Sequence, residues 1–452
     1  MSESRPSTPG ASPLPQPSRA YRWAVLIFIS LAMFGNYYLY DTIAPIADLL
    51  KSQLNFTDQQ IGLLYSVYSW AAVIILLLGG VVIDRIGTKK STLIFGAICF
   101  FAGLVTAISP NFLVMATGRF MLGLGAEPLI VAITTALAKW FKGKELSFAL
   151  AINLTVARLA SVAADNSPRW ASASYTNWQS PLWIGTVIGS MCIIGAIIYW
   201  ILESRAEGRY DLGEAGQSDK LEFRGMWKFN KSYWYIVGLC VTFYSAVFPF
   251  RGFAIKLFQD VHHMTRADAG ALNSILPFSA MIASPLFGLW VDKVGKRALF
   301  MAFGSLLLLP VYLMVVYLPT QPILHINLPF IAPIGAPLSV IIAVIALGIA
   351  FSLIPAIMWP SVAYIVEQNR LGTGYALMTL IQQIGVSIMV WAVGKANDVT
   401  GAGAANPAGY RMGMWILSVL GLLGLVFSYL LRRAETSEGA HGLETITAGA
   451  KT

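Results

Sequence analysis

Apolar residues in this chain come in runs of about twenty or more, each long enough to cross roughly 30 Å of hydrocarbon as a helix, and the runs recur from end to end. Splitting them at charge clusters, Pro/Gly breaks and polar turns predicts twelve spans, at 23–50, 61–83, 91–109, 112–138, 145–166, 182–203, 233–257, 269–291, 298–318, 337–360, 371–396 and 410–431. A polar segment at 204–232, with six basic and five acidic residues, separates six spans from six and reads as a linker. The expected organisation is a disordered tail (1–20), a six-helix bundle (21–203), the linker (204–232), a second six-helix bundle (233–433) and a tail (434–452).

Composition confirms the solvent. Of 452 residues, 56% are apolar and 12% charged, against roughly a quarter charged in soluble domains, and mean hydropathy is +0.66. The net charge of +9 raises nucleic acid as a partner, but the placement of the charge removes it. With the N-terminus inside, 22 of the 31 Lys and Arg residues fall at inner ends of spans, as the positive-inside rule requires when both termini are cytoplasmic. No cleavable signal is visible before the first run. Cys99, Cys192 and Cys240 lie inside apolar runs with no C-x-x-C spacing, so no disulfide framework, metal site or redox motif is expected.

An internal repeat follows. Gly80-Val-Val-Ile-Asp84-Arg85-Ile-Gly87 comes after the second span and Gly288-Leu-Trp-Val-Asp292-Lys293-Val-Gly295 after the eighth, 208 residues apart at every matched position. The membrane core from Trp23 to Arg433 is 411 residues, so the chain reads as two parallel six-helix units. The pattern G-x-x-x-D-[RK]-x-G resembles the loop between the second and third helices of the major facilitator superfamily. In that role Gly80 and Gly288 allow close helix approach. Asp84 and Asp292 accept from a helix N-terminus and a nearby Arg, and with Arg85 and Lys293 they latch one gate state. The resemblance implies transport by alternating access and leaves the substrate open.

Ionisable residues inside spans are costly and mark function or a partner. Glu127 on the fourth span and Arg158 on the fifth lie fifteen and sixteen residues from the turn near Lys142, hence at one depth near the membrane centre. Two readings stand: a Glu–Arg pair that stitches adjacent helices, or two cavity groups that divide a zwitterion. In the second, Glu127 takes an ammonium and Arg158 forks a carboxylate. Gly123, Gly125 and Ala126 beside Glu127 would leave room for the ligand.

Softer candidates are Tyr37, Tyr40 and Asp41 on the first span, Tyr68 and Trp70 on the second, Trp359 on the tenth and Gln382-Gln383 on the eleventh. Aromatic rings beside amides suit a peptide-like ligand, and equally suit interfacial belts and packing. Arg119 is expected to support helix packing; Arg251, beside Phe248-Pro249-Phe250, to line the cavity or gate it. Glu127 and Asp41 are the only carboxylates expected well inside spans. All four histidines fall outside the spans, which argues against a histidine proton relay. No GxxxxGK[ST] is present, which excludes ATP-driven transport by this chain alone.

Several stretches resemble one branch of the superfamily, the lysosomal dipeptide uniporters. They include Gly35-Asn-Tyr-Tyr-Leu-Tyr-Asp41, Gly118-Arg-Phe120 through Glu127, Trp140-Phe-Lys-Gly-Lys-Glu-Leu146, Ala157-Arg158, Trp359-Pro360 and Leu371-Gly-Thr-Gly-Tyr375. The resemblance implies a dipeptide held by Glu127 at its amine and Arg158 at its carboxylate, and passive transport without a cofactor. Because the N-terminal tail lacks an acidic dileucine signal, the expectation is a bacterial relative in the inner membrane, without an accessory subunit; in a eukaryote it would be lysosomal. The competing functions are a proton-coupled carrier of another small solute or drug, and a non-transporting sensor or scaffold. The two gate-loop copies argue against the last.

Overall fold

The computed structural model describes residues 15–141, 145–212, 229–437 (apart from 319, 322, 329 and 330) and 440–447, with side chains given there except at 77–82, 84, 326–328, 331, 332 and 369. Twelve helices among them are long and apolar enough to cross a membrane. An even number of crossings puts the start of the first and the end of the last on one face, here the terminal face; the other is the distal face.

In the first half, α1 (Arg19–Asp41) continues through a 3₁₀ turn at Ala44–Ile46 into α2 (Ala47–Leu54). Helix α3 (Asp58–Ile108) carries the second and third crossings and turns at Gly87. Then come α4 (Phe112–Phe141), α5 (Leu146–Asp165), the short α6 (Ser167–Trp170) and α7 (Gln179–Ala206). The second half runs α8 (Lys231–His262), α9 (Arg266–Asn273), α10 (Ile275–Val294), α11 (Arg297–Tyr317), α12 (Leu338–Ile365), α13 (Leu371–Val399) and α14 (Tyr410–Glu435). Helices dominate because in hydrocarbon every backbone polar group needs an internal partner. The prolines at 128, 249, 285, 310, 355 and 360 sit inside helices all the same, as membrane helices tolerate.

The repeat has a backbone signature. Gly87 (φ 78°) and Gly295 (φ 71°) both take positive φ, which a side chain would strain, so the last glycine of each copy is a conformational requirement. Asp292 pairs with Arg297 at 2.7 Å across its loop. Arg85 and Lys293 are exposed, and a Cβ on Gly288 would meet no described residue within 4 Å, so Gly288 does not serve a close helix approach in this arrangement, contrary to expectation; the side-chain surroundings of Gly80 and Asp84 lie outside the described residues.

Three spans depart from expectation. The seventh reaches His262, which is buried with its ring 2.7 Å from the Val315 carbonyl, so one histidine does end a crossing helix. The eighth is interrupted at Asn273–Ser274, between α9 and α10. The Pro-containing link before the tenth span holds an antiparallel hairpin, β1 (Ile323–Leu328) and β2 (Ile331–Pro337). At the other end, α14 is followed by chain that folds back: Lys296 N–H and Arg297 N–H donate to the carbonyls of Glu444 and Leu443, and the Glu444 carboxylate accepts from Ala298 N–H at 2.8 Å.

The two halves meet mainly where α3 packs on α13 and α5 on α10. Among the described residues, every ion pair between halves lies at or beyond the distal end of the central cavity. Arg251 reaches Asp41 (3.4 Å) and Asp165 (2.9 Å), Lys256 reaches Asp58 (3.1 Å), Arg169 reaches Asp268 (2.8 Å), and Arg266 pairs with Asp48. The Asp398 carboxylate of α13 also accepts from Asp58 N–H and Gln59 N–H at 2.8 and 2.7 Å, capping α3 from the opposite half, where the helix dipole favours an anion. Ion pairs on the terminal face, such as Lys139–Glu203 and Arg19–Glu145, stay within one half. This arrangement is closed on the distal side.

Candidate substrate cavity

Between the halves lies a cavity of about 260 Å³. Residues of α1, α3, α4 and α5 line one wall and residues of α8, α12 and α13 the other. Nine of the ten candidate ligand residues face it: Tyr37, Tyr40, Asp41, Tyr68, Glu127, Arg158, Trp359, Gln382 and Gln383. Trp70 does not. Two helical positions after Tyr68 it points to the opposite side, about 200° round, and it is 45% exposed on the outside of the bundle.

The position of the first-span residues begins with a helix end. Where α1 stops at Asp41, its last carbonyls lose their helical partners, and Arg119 of α4 takes them. Its guanidinium donates to the carbonyls of Leu39 (2.9 Å), Tyr40 (3.0 Å) and Leu64 (3.3 Å) and lies 5.4 Å from the ring centres of Tyr40 and Tyr65. This fully buried cation has no carboxylate partner among the described residues; three carbonyls and aromatic faces hold it. The packing role expected for it is therefore met. Anchored so, Tyr40 sets its ring 4.7 Å from Tyr68, edge to face, and places Asp41 against Arg251.

Glu127 and Arg158 do not pair with each other. Glu127 Oε1 accepts from Tyr68 Oη (3.2 Å) and Gln383 Nε2 (3.1 Å), two neutral donors that leave its charge uncompensated. Arg158 makes no hydrogen bond or ion pair among the described residues; its guanidinium lies 5.5 Å from the Phe351 ring centre. Opposite charges thus face one cavity, both half-buried and both open to a ligand. Aromatic groups close the wall of the second half: Tyr244 stacks on Phe248 at 5.6 Å and accepts from Trp359 Nε1 at 3.0 Å.

The small residues beside Glu127 serve another end than the one expected. A Cβ on Gly123 would lie 2.3 Å from the Tyr68 carbonyl, and one on Gly125 would lie 2.8 Å from Cys99 Sγ. These glycines let α4 touch α3, as small residues do in membrane bundles, and make no space for a ligand. Gly123→Ala is expected to destabilise the protein by about 1–3 kcal/mol, because the added methyl meets backbone that cannot step aside. A lower melting temperature in detergent, with dipeptide or without, checks this.

Asp165 is the residue that sequence reasoning missed. It ends α5 fully buried, accepts from Asn273 Nδ2 at 2.9 Å and shares Arg251 with Asp41. Asp41 and Glu127 are therefore not the only buried carboxylates. Its signal was present: a carboxylate at a helix C-terminus opposes the dipole and needs a cation nearby. Asp58 and Glu203 are also buried, each with a lysine partner.

The Major Facilitator Superfamily profile matches this chain over residues 29–390 and again over 252–452. The chain is 31% identical over 446 residues to the lysosomal dipeptide transporter MFSD1 of Homo sapiens, covering 95% of this chain and 91% of that one. The Danio rerio protein of the same name is also 31% identical, over 84% and 82%. A hexuronate transporter of Escherichia coli is 25% identical over 40% of this chain. Among solved structures, a mutant of the nucleoside transporter NupG superposes with a TM-score of 0.70 at 13% identity, over 90% of this chain and 99% of that one, a likeness of fold alone. With twelve crossing helices around a cavity shared by two halves, this chain belongs to the major facilitator superfamily and is a multi-pass membrane transporter, not an enzyme.

Proposed function

We propose that this protein carries dipeptides across its membrane by alternating access, as a facilitator that needs no driving ion. One observation supports this reading above the others: Glu127 and Arg158 face a single cavity with neither neutralising the other. A free zwitterion with one ammonium and one carboxylate satisfies both charges at once. Sugars and uncharged drugs leave two buried charges unpaired, which is costly. The relatives named as dipeptide transporters point the same way.

In this reading residues 21–203 and 233–433 rock about the cavity, with 204–232 as the linker and both termini cytoplasmic in a bacterial inner membrane. Gly80, Asp84, Arg85, Gly288, Asp292 and Lys293 serve the terminal-face gate, and no accessory subunit is required. The ion pairs of the distal face form the opposite gate.

Asp165 bears on the alternative of proton coupling, since it adds a buried carboxylate to the two expected. Both Asp41 and Asp165, however, are engaged by Arg251, and Glu127 is reserved for the amine. Proteoliposomes loaded with a pH-sensitive dye test the point. The expected result is dipeptide equilibration at the same extent with or without an imposed proton gradient. Accumulation above the outside concentration, driven by that gradient, would make the protein a proton-coupled carrier; no dipeptide flux at all would remove the substrate assignment.

A further inference from the structure

Glu127 has two carboxylate oxygens in different surroundings. Oε1 is occupied twice, by the Tyr68 hydroxyl from the first half and the Gln383 amide from the second. Oε2 makes no hydrogen bond among the described residues, and Glu127 faces the cavity. The two adjacent glutamines of α13 also differ: Gln382 Oε1 lies 3.4 Å from the Cys240 thiol, toward α8, whereas Gln383 turns to Glu127.

The seam between α3 and α13 delivers Gln383 to that place. One turn along α13, the Ser387 hydroxyl donates to the Ser66 carbonyl at 3.2 Å, and the Ser66 hydroxyl returns a bond to the Ser387 carbonyl at 2.7 Å. Positions 383 and 387 share a helix face, so this reciprocal clamp fixes the height at which the Gln383 amide meets Glu127. Its neutrality matters. A lysine or arginine there would cancel the charge of Glu127, while an amide holds the carboxylate in place and leaves it anionic.

We infer that Gln383 is a positioning residue for substrate recognition: it pins Glu127 Oε1 so that Oε2 is presented to the ligand ammonium, and it makes amine recognition depend on both halves. This rests on the dipeptide reading of the cavity. Gln383 also lines the cavity, but in this role it acts through Glu127. A primary ammonium is favoured over an acylated nitrogen because the presented oxygen is a charged acceptor.

The test compares alanyl-alanine with N-acetyl-alanyl-alanine by equilibrium binding to the purified full-length protein. Gln383→Met keeps the length of the side chain and removes the donor. It is expected to weaken alanyl-alanine about tenfold, the worth of one charge-assisted hydrogen bond, and to leave the acetylated ligand within about twofold. In a Glu127→Gln background the same substitution should change neither ligand, since it has nothing left to aim. Where the methionine variant is lost in folding, Gln383→Asn, which withdraws the amide by one methylene, should give the same fall in the free-over-acetyl ratio. Equal losses for both ligands would reduce Gln383 to helix packing, and an undiminished effect in the Glu127→Gln background would make it a direct ligand contact; either overturns the positioning role and leaves the dipeptide reading standing. Failure of the parent protein to bind alanyl-alanine would overturn the dipeptide reading and this inference with it.

Discussion

Arg158→Lys is expected to lose dipeptide binding although it keeps the positive charge, because a point ammonium cannot fork a carboxylate as a guanidinium does. Removing either charged partner from the cavity should cost about 1.5–3 kcal/mol, roughly ten- to a hundredfold in affinity. Ligand chemistry supplies the control. A C-terminally amidated dipeptide should bind the parent protein weakly, and Arg158→Ala should weaken it little further; an N-acetylated dipeptide should stand in the same relation to Glu127→Gln. The two charges make no pair in the structure, so removing one does not strand the other as it would in a helix-stitching pair. The Glu127→Gln/Arg158→Ala double mutant should therefore stay folded and inactive. Dipeptide transport restored by that double mutant, measured in proteoliposomes, would return the pair to a structural role.

Much of this architecture is legible in the chain because the membrane imposes simple rules. Long apolar runs locate the helices, and the 208-residue repeat reveals two units. Equal depth of Glu127 and Arg158 follows from counting residues back from one turn, and both do line one cavity. Helix rotation was harder to read. Tyr68 and Trp70 carry the same aromatic signal two residues apart, yet one enters the cavity and the other faces out. In an apolar span no polar face marks which side is the interior. Gly123 and Gly125 show a related ambiguity, since small residues suit a ligand and a neighbouring helix alike; the 2.3 Å approach to the Tyr68 carbonyl resolves it. Asp165 escaped because a polar residue at the end of a run reads as the start of a loop. It is partnered by the other half, through Asn273 of α9 and Arg251 of α8.

The distal seal makes an asymmetric prediction. Asp41 and Asp165, both from the first half, converge on one guanidinium of the second, and Asp41 Oδ2 and Arg251 Nε remain buried without partners. The other charged groups of this interior include Glu127, which faces the cavity, Arg119, held by carbonyls and aromatic rings, Arg158, beside the Phe351 ring, and the buried Lys256–Asp58 pair. Taking away Arg251 leaves two carboxylates confronting each other without their shared cation, while Lys256, Arg169 and Arg266 still bridge the halves elsewhere on the distal face. Arg251→Met should destabilise the protein by about 3–5 kcal/mol, the cost of breaking a buried charge cluster from one side. Asp165→Asn is far milder, because the amide still occupies the site and Arg251 retains Asp41 as a one-to-one partner; a loss of about 1–2 kcal/mol is expected. The two variants also act differently on the gate. Without Arg251, a cysteine placed in the distal loops should react faster with a membrane-impermeant maleimide, as the halves separate to hydrate their carboxylates, whereas in Asp165→Asn the rate should stay near that of the parent. Unfolding in detergent and maleimide rates on the same preparations check both halves of the argument: equal destabilisation by the two substitutions would mean that Arg251 is not the shared cation that holds the distal face shut.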